Sequence, residues 1–473
     1  MPTSPPSLTD RHSDDHPPNS AERWPASPVN RLPAALLGYL GVITLVVTWA
    51  PFQFRVPEVA EFSLLVDPRD VIMNVIMFLP LGFFAQASRR RGHPPGSVPL
   101  RRMRGEGGIG SAGGGAQGGR VWPVFLAGAA FSTTIEVGQV FLAERFSSPV
   151  DILTNGVGAA LGAWLFNGVR ARMRLNPDDP RVLALDLPLT GLLLLQIPLL
   201  WVTGFAGVGT PRAWLLVGLA VVWGGLLGAV HGGHLPRGRH LPGRTLPFVA
   251  GGTFALFSLP GAVFTPLVLA VGVLASGGAA EVARRLTLVR RIRERDRRVE
   301  IPTLRTILPL LALYLVAVAF WPTGAPGLSG WTGGWSLAPG NGPADLRLLM
   351  ATLEFLGAFT VLGYAGAELR GRSGVGDLRS VAAVGCVAAM LSVLLMAGRG
   401  FVTGLGASYS VMLLAVAAAV FGGWLYGVQR DSIRALLGRD GGAAGPESGA
   451  ARCHGGTAGM PDRALPPAEA TDK

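Results

Sequence analysis

The fold class is decided by the stretch from Asp70 to Ser88, which reads DVIMNVIMFLPLGFFAQAS. It is long enough and apolar enough to cross the hydrocarbon of a bilayer as one helix, since about 20 such residues suffice. Apolar stretches of this kind recur along the whole chain and are separated by short polar loops. The sequence therefore predicts an all-α, polytopic membrane helical bundle.

The composition supports a membrane protein and argues against the common soluble classes. The chain has 473 residues, of which 49% are hydrophobic and only 15% are charged. Average soluble proteins carry about 25% charged residues. Together with a mean hydropathy of +0.42, these values exclude a disordered chain, a soluble α/β enzyme and a coiled coil.

The basic character of the chain comes from arginine blocks that lie between the apolar stretches. The net charge is +12 and the sequence pI is near 11.0, a balance that in a soluble protein would suggest nucleic acid. Blocks that alternate with apolar stretches are instead typical of cytoplasmic loops. We therefore expect the lipid bilayer as partner and no nucleic acid. The two cysteines, Cys386 and Cys453, are too few for a disulfide framework or a zinc site.

The apolar stretches predict twelve transmembrane helices. Arginine-rich segments follow every second stretch, which predicts a multi-pass protein of the cell membrane with both termini in the cytoplasm. The seventh stretch is short and interrupted by Pro247, so a full crossing and a re-entrant segment both stay open. In chain order the predicted spans are Leu32–Phe54, Asp70–Ser88, Trp122–Ala143, Val150–Val169, Ala184–Gly204, Arg212–Val230, Leu246–Leu259, Ala262–Ala280, Leu304–Trp321, Leu346–Gly366, Ser380–Ala397 and Tyr409–Val428.

The spans and the polar segments divide the chain into five parts. Residues 1–31 and 429–473 are polar and are predicted to be disordered cytoplasmic tails. Between them we expect a four-helix unit over residues 32–169, linking transmembrane helices over residues 184–280, and a C-terminal transmembrane unit over residues 304–428.

Polar side chains within the first four spans are the strongest functional signal in the sequence. Six of them form pairs spaced three or four residues apart, so that each pair shares one face of a helix. Ionisable groups are costly inside a bilayer, and the topology brings all of them toward the outer end of their spans. We therefore predict an outward-facing polar pocket, with hydrogen bonding between helices as the alternative role of its amides. The predicted pocket residues are Asp70, Asn74, Glu136, Gln139, Arg145, Asp151 and Asn155.

The same residues resemble a known family motif. The stretch that begins at Asp70, the pair Glu136-x-x-Gln139 and the segment Arg145-x5-Asp151 are together similar to a VanZ-like domain, over about residues 32–169. The resemblance implies a small bundle of membrane helices in the cell envelope and a link to antibiotic resistance of the teicoplanin type. It implies no established biochemical mechanism.

The sequence departs from the family pattern between Arg145 and Asp151. Many similar proteins carry a further acid in this segment, whereas Ser147 and Ser148 occupy it here. This departure argues against any mechanism that needs a fourth acid.

The C-terminal unit shares short stretches with the N-terminal unit. Glu354–Gly357 resembles Met77–Pro80, in an alignment that puts Ala351 where Asn74 would be. A degenerate second copy of the VanZ-like unit explains this likeness, and so does the shared composition of leucine-rich spans. Both interpretations stay open.

Three functions are compatible with these features, and whether the protein is an enzyme stays open. The first is an envelope protein that binds a lipid-linked or glycopeptide-like molecule in the polar pocket. The second is an intramembrane hydrolase or transferase acting on an envelope lipid, with Glu136 or Asp151 as general base and Arg145 stabilising negative charge. The third is a transporter, which twelve spans would suit. We expect no cofactor and no metal, because the histidines after the sixth span lie in an arginine-rich loop.

Overall fold

The structure is a computed structural model that describes the helical part of the chain and several connections. Side chains are described within these ranges except at 170–172, 180–188, 233–234, 290–294, 347, 372, 377–378 and 432–441. The described residues are 31–50, 52, 54, 67–89, 120–142, 147–172, 180–234, 244–294, 300–321, 327–328, 330–335, 346–372, 377–402 and 405–441.

Twelve α-helices make up the described bundle, together with one short 3-10 helix (Pro211–Trp214) before α6 and two two-residue strands. The strands β1 (Gly333–Gly334) and β2 (Ala407–Ser408) pair in parallel. The helices are α1 (Arg31–Trp49), α2 (Pro68–Ser88), α3 (Trp122–Val140), α4 (Pro149–Arg172), α5 (Pro180–Gly207), α6 (Leu215–His234), α7 (Leu246–Ala262), α8 (Pro266–Glu294), α9 (Glu300–Phe320), α10 (Leu346–Arg372), α11 (Asp377–Gly400) and α12 (Tyr409–Gly441).

Ten of the described helices are long and apolar enough to span a bilayer. The two others are α3, which has the length but is more polar, and α7, which has 17 residues and contains Pro260. Seventeen residues of α-helix extend about 26 Å, somewhat less than the about 30 Å of bilayer hydrocarbon. The prediction of an all-α membrane bundle is confirmed.

The predicted spans coincide with the helices, but some ends differ. Helix α1 ends at Trp49 rather than at Phe54, because Pro51 disfavours helical geometry in the residue before it. Phe52 then takes a positive φ of 63°. Helix α12 continues to Gly441, into the segment predicted as a tail, because its sequence turns polar there without a helix-breaking proline. The remaining residues of both predicted tails lie outside the described part.

Helix α5 lies at the centre of the bundle. It packs against α1, α6, α7, α10 and α12, and Trp201 and its apolar neighbours on this helix are fully buried. The indole N–H of Trp201 donates a hydrogen bond to the carbonyl oxygen of Phe257 at 2.8 Å. Buried on all sides, this helix carries the largest part of the core.

Helices α2 and α4 approach each other backbone to backbone. A Cβ atom on Gly82 would collide with the carbonyl oxygen of Ala159, and a Cβ atom on Gly162 would collide with that of Leu79. Small residues allow this close packing, which is a main source of helix association in membranes. The contact fixes the two helices that carry most of the predicted pocket residues.

The C-terminal helices α9–α12 pack in the same pairs as α1–α4. Within these two units, the most extensive contacts join α2 with α4 and, correspondingly, α10 with α12, and next come α3 with α4 and α11 with α12. Gly363 lies against the carbonyl oxygen of Ala419, just as Gly82 lies against that of Ala159.

These glycine contacts give a register for the two units that differs from the sequence alignment. When Gly363 is matched to Gly82, Ala351 corresponds to Asp70. The sequence alignment matched Ala351 to Asn74, one helical turn away. Short apolar stretches align equally well after a shift of one turn, whereas close backbone contacts do not.

Candidate functional site at one end of the bundle

Four of the predicted pocket residues come together at one end of the first four helices. Asp70 and Asp151 lie in the first turns of α2 and α4, and Glu136 lies near the end of α3, which runs in the opposite direction. The Asp151 carboxylate interacts electrostatically with those of Asp70 and Glu136, and by a hydrogen bond with the Asn74 side chain. We call Asp70, Asn74, Glu136 and Asp151 the carboxylate cluster.

Glu136 is the buried member of the cluster and binds the start of α4. Its exposed fraction is 4%, and its Oε2 accepts hydrogen bonds from the Ser147 hydroxyl at 2.9 Å and from the Ser148 backbone N–H at 2.8 Å. A carboxylate at the N-terminus of a helix is favoured, because the first N–H groups there lack partners within the helix. Glu136 is thus engaged by two donors.

The serine partners of Glu136 were missed by the sequence interpretation. Ser147 and Ser148 had been noted only as replacements for an acid. The available signal was the Ser-Ser-Pro run at the start of α4, since serine before a proline-led helix is typical of a helix N-terminus.

Asp70 and Asp151 form the accessible side of the carboxylate cluster. Asp70 is exposed, and Asp151 and Asn74 are half-buried. Two neighbouring carboxylates favour ligand groups that donate hydrogen bonds or carry positive charge, and they repel anions. The predicted residue Arg145 lies outside the described residues.

Gln139 turns away from the cluster and connects α3 to α1. Its side-chain amide donates a hydrogen bond to the carbonyl oxygen of Thr48 at 3.3 Å. A parallel contact joins the indole N–H of Trp49 to the carbonyl oxygen of Ile135 at 3.2 Å. This arrangement agrees with the alternative in which an amide connects helices.

Asn155 lies one turn deeper than Asp151 on α4. It is 3% exposed, and its amide donates a hydrogen bond to the Ser132 hydroxyl at 2.8 Å. The Ser132 hydroxyl in turn reaches the carbonyl oxygen of Asp151 at 3.5 Å. The Oδ1 atom of Asn155 is buried and has no hydrogen-bond partner among the described residues. A buried acceptor of this kind is costly unless a ligand or water satisfies it.

A second buried polar site, which the sequence interpretation missed, joins the C-terminal helices to the 3-10 helix. Glu354 of α10 accepts hydrogen bonds on Oε2 from Arg212 Nε at 2.9 Å and Nη2 at 2.6 Å. Its Oε1 accepts one from the Tyr314 hydroxyl at 2.8 Å, and that hydroxyl lies 2.7 Å from the hydroxyl of Thr203. The available signal was a glutamate within an apolar span, which requires a partner.

The carboxylate oxygens of the cluster accept hydrogen bonds. They are suited to recognise hydroxyl, amide or amine donors, or to transfer protons. Within the described part of the chain, no group of three or more His, Cys, Asp or Glu side chains is placed to hold a metal ion.

The comparisons with known proteins identify the part of the chain that carries the cluster. Residues 26–170 match the VanZ/LLP1 family, a range that includes α1–α4 up to the last turn of α4. No curated protein and no solved structure matches the chain.

Proposed function

We propose that this multi-pass membrane protein, whose N-terminal part is a VanZ-like domain, binds a lipid-linked or glycopeptide-like molecule of the cell envelope. Binding takes place at the carboxylate cluster and changes the susceptibility of the cell to glycopeptides of the teicoplanin type. The observation that carries the proposal is the electrostatic interaction of the Asp70 and Asp151 carboxylates at one end of the bundle, where Asp70 is exposed and Asp151 is half-buried.

The chemistry of the cluster suits such a ligand. Sugars and peptides present many hydroxyl and amide donors, and carboxylates are the strongest acceptors available to a protein. Under the positive-inside rule, the arginine pattern puts the start of α2 and α4 on the outside of the membrane. The cluster then faces the compartment in which envelope precursors and glycopeptides meet.

An intramembrane hydrolase or transferase is the second candidate function. The juxtaposed carboxylates of Asp70 and Asp151 favour it, because general acid–base catalysis uses such pairs. Glu136 is less suited to the role of base, since two donors already engage the same oxygen. A transporter is less favoured, because the cluster lies at one end of the bundle rather than at its middle.

Complementation of a deletion strain tests the proposed function. The parent gene and the control variant Asp431→Asn, which removes an exposed carboxylate from α12, should restore the teicoplanin susceptibility profile. Asp70→Asn and Asp151→Asn should fail to restore it at equal protein levels in the membrane. Full restoration by both variants would contradict the proposal.

Lipid extracts distinguish the second candidate from the first. An enzyme acting on an envelope lipid should leave one species modified in the parent strain and unmodified in the Asp151→Asn strain. Identical extracts combined with a changed susceptibility profile favour binding over catalysis.

A further inference from the structure

An apolar groove of about 400 Å³ lies within the VanZ-like domain, between α1 and α3 and against α2 and α4. Its volume lies within the about 300–1,000 Å³ that is usual for small-molecule sites. The side chains that line it are all apolar or glycine. We call it the α1–α3 groove; Gly38 and Gly41 of α1, Phe78 of α2, Gly128 and Phe131 of α3, and Ala159 of α4 are among its lining residues.

Glycines on α1 keep this groove open. A Cβ atom on Gly38 would meet nothing within 4 Å, and one on Gly41 would meet only the ring of Phe131, at 3.9 Å. An alanine would fit at either position without strain and would also favour the helix, in which glycine costs about 1 kcal/mol relative to alanine. The sequence therefore leaves space where ordinary helix packing would fill it.

One helical turn of polar residues, of which Asn74 also belongs to the cluster, follows the groove toward the carboxylate cluster. On each of three helices, a groove residue is followed one turn closer to the cluster by a polar residue. Asn155, whose Oδ1 is buried without a partner among the described residues, belongs to this layer. The pairs are Phe78 and Asn74 on α2, Gly128 and Ser132 on α3, and Ala159 and Asn155 on α4.

We infer that the α1–α3 groove holds one hydrocarbon chain of a membrane lipid whose headgroup donates hydrogen bonds, through hydroxyl or amine groups, to the carboxylate cluster. This inference rests on the proposed function and names the class of its ligand.

Two physical arguments select this occupant. Water gains no hydrogen bonds from an apolar groove, so hydrocarbon fills it in a bilayer. At the polar end, the carboxylates of Asp70 and Asp151 accept hydrogen bonds from sugar hydroxyls or amines and repel a bare phosphate. The Oδ1 of Asn155, which has no hydrogen-bond partner among the described residues, offers a further acceptor between the headgroup and the chain.

Photo-labelling in lipid nanodiscs tests this inference with the full chain. Three probe lipids are compared, each with a diazirine on its acyl chain and each in its own set of phosphatidylcholine discs. They differ only in the headgroup, which is glucosyl, phosphocholine or phosphate. Labelled peptides of α1 are then counted by mass spectrometry. We expect the glucosyl probe to label the segment Leu37–Leu45 about tenfold more than the others, as one added charge-assisted hydrogen bond would give.

Filling the groove should abolish this labelling. The double variant Gly38→Leu with Gly41→Leu occupies the groove from α1. The double variant Gly252→Leu with Gly278→Leu makes the same change at two other open helix positions on the surface, and it should label like the parent. Asp151→Asn should retain labelling of the groove but lose the preference for the glucosyl headgroup.

The outcomes separate this inference from the proposed function. If the three probes label α1 equally and Asp151→Asn changes nothing, the groove holds bulk lipid and the inference is overturned, whatever the susceptibility assay shows. If labelling is selective but Asp151→Asn restores the susceptibility profile, the inference stands and the proposed function fails.

Discussion

Removal of the Glu354 carboxylate should destabilise the entire bundle, because it leaves the guanidinium of Arg212 buried without its counter-charge. Glu354 is 0% exposed and Arg212 is 8% exposed. The pair joins α10 to the short helix that follows α5, and Tyr314 extends it to α9. A single truncation therefore disrupts contacts among α9, α10 and the 3-10 helix.

The expected cost follows from the contacts. The carboxylate accepts three hydrogen bonds, and bonds to charged groups contribute about 1.5–3 kcal/mol each. Their loss is partly offset, because Glu354 itself no longer has to be desolvated. Breaking a buried pair costs about 3–5 kcal/mol in net terms, so we expect Glu354→Leu to lower the free energy of unfolding by about that amount.

Thermal denaturation of the purified full chain in detergent measures this effect. Arg212→Met combined with Glu354→Leu removes both charges and should denature above the temperature of the single variant and close to that of the parent. Glu281→Ala removes the partner of Arg284 and Arg285 in a more exposed cluster, where such pairs contribute at most about 1 kcal/mol. The reasoning is refuted if Glu354→Leu and Glu281→Ala denature alike, or if the double variant is as unstable as the single one.

Two further substitutions test the packing and the site. Gly162→Leu should prevent accumulation of the protein in the membrane, because the leucine side chain would collide with the backbone of Leu79. The control Gly168→Leu places its side chain in open space on the same helix and should accumulate normally. Equal membrane levels of the two variants would contradict the close packing of α2 and α4. Ser147→Ala should lower the denaturation temperature, because Glu136 loses one of its two hydrogen-bond donors and the free energy of unfolding falls by about 1–3 kcal/mol. An unchanged denaturation temperature would show that the Ser147 hydroxyl does not contribute to stability.

The helices could be predicted from the sequence because their lengths are set by the bilayer. Each apolar stretch had to form its backbone hydrogen bonds internally, and only a helix does so in isolation within hydrocarbon. The ends of the helices were less predictable where a helix continues beyond the apolar part of its sequence. Helix α12 continues to Gly441, although its sequence becomes polar after Val428.

The carboxylate cluster could be predicted in part, for a geometrical reason. Residues three or four apart share a helix face, and successive spans run in opposite directions, so Asp70, Glu136 and Asp151 had to lie at one end. The pattern did not specify how each helix is rotated about its axis. Gln139 therefore reaches α1 rather than the cluster, and the serine donors to Glu136 remained unrecognised.

Long-range pairing was beyond the sequence interpretation. Arg212 and Glu354 are separated by 142 residues, and the first begins a predicted span, where helical periodicity does not indicate which distant helix its side chain meets. The register of the two four-helix units was equally inaccessible, since leucine and alanine repeat at every turn. Only close backbone contacts, such as those of Gly82 and Gly363, distinguish one turn from the next.

The two acidic sites differ in how completely their groups are buried and satisfied, and this difference favours a structural role for one and a functional role for the other. Glu354 receives three donors and lies fully inside the bundle, which is what a structural ion pair requires. Asp70 and Asp151 interact electrostatically in a partly open position, where the repulsion between like charges opposes the stabilisation that each carboxylate gains in the first turn of its helix. A hydrogen-bond donor or a cation bound between the two carboxylates would relieve this repulsion. We therefore propose that a ligand is to be sought in the N-terminal unit.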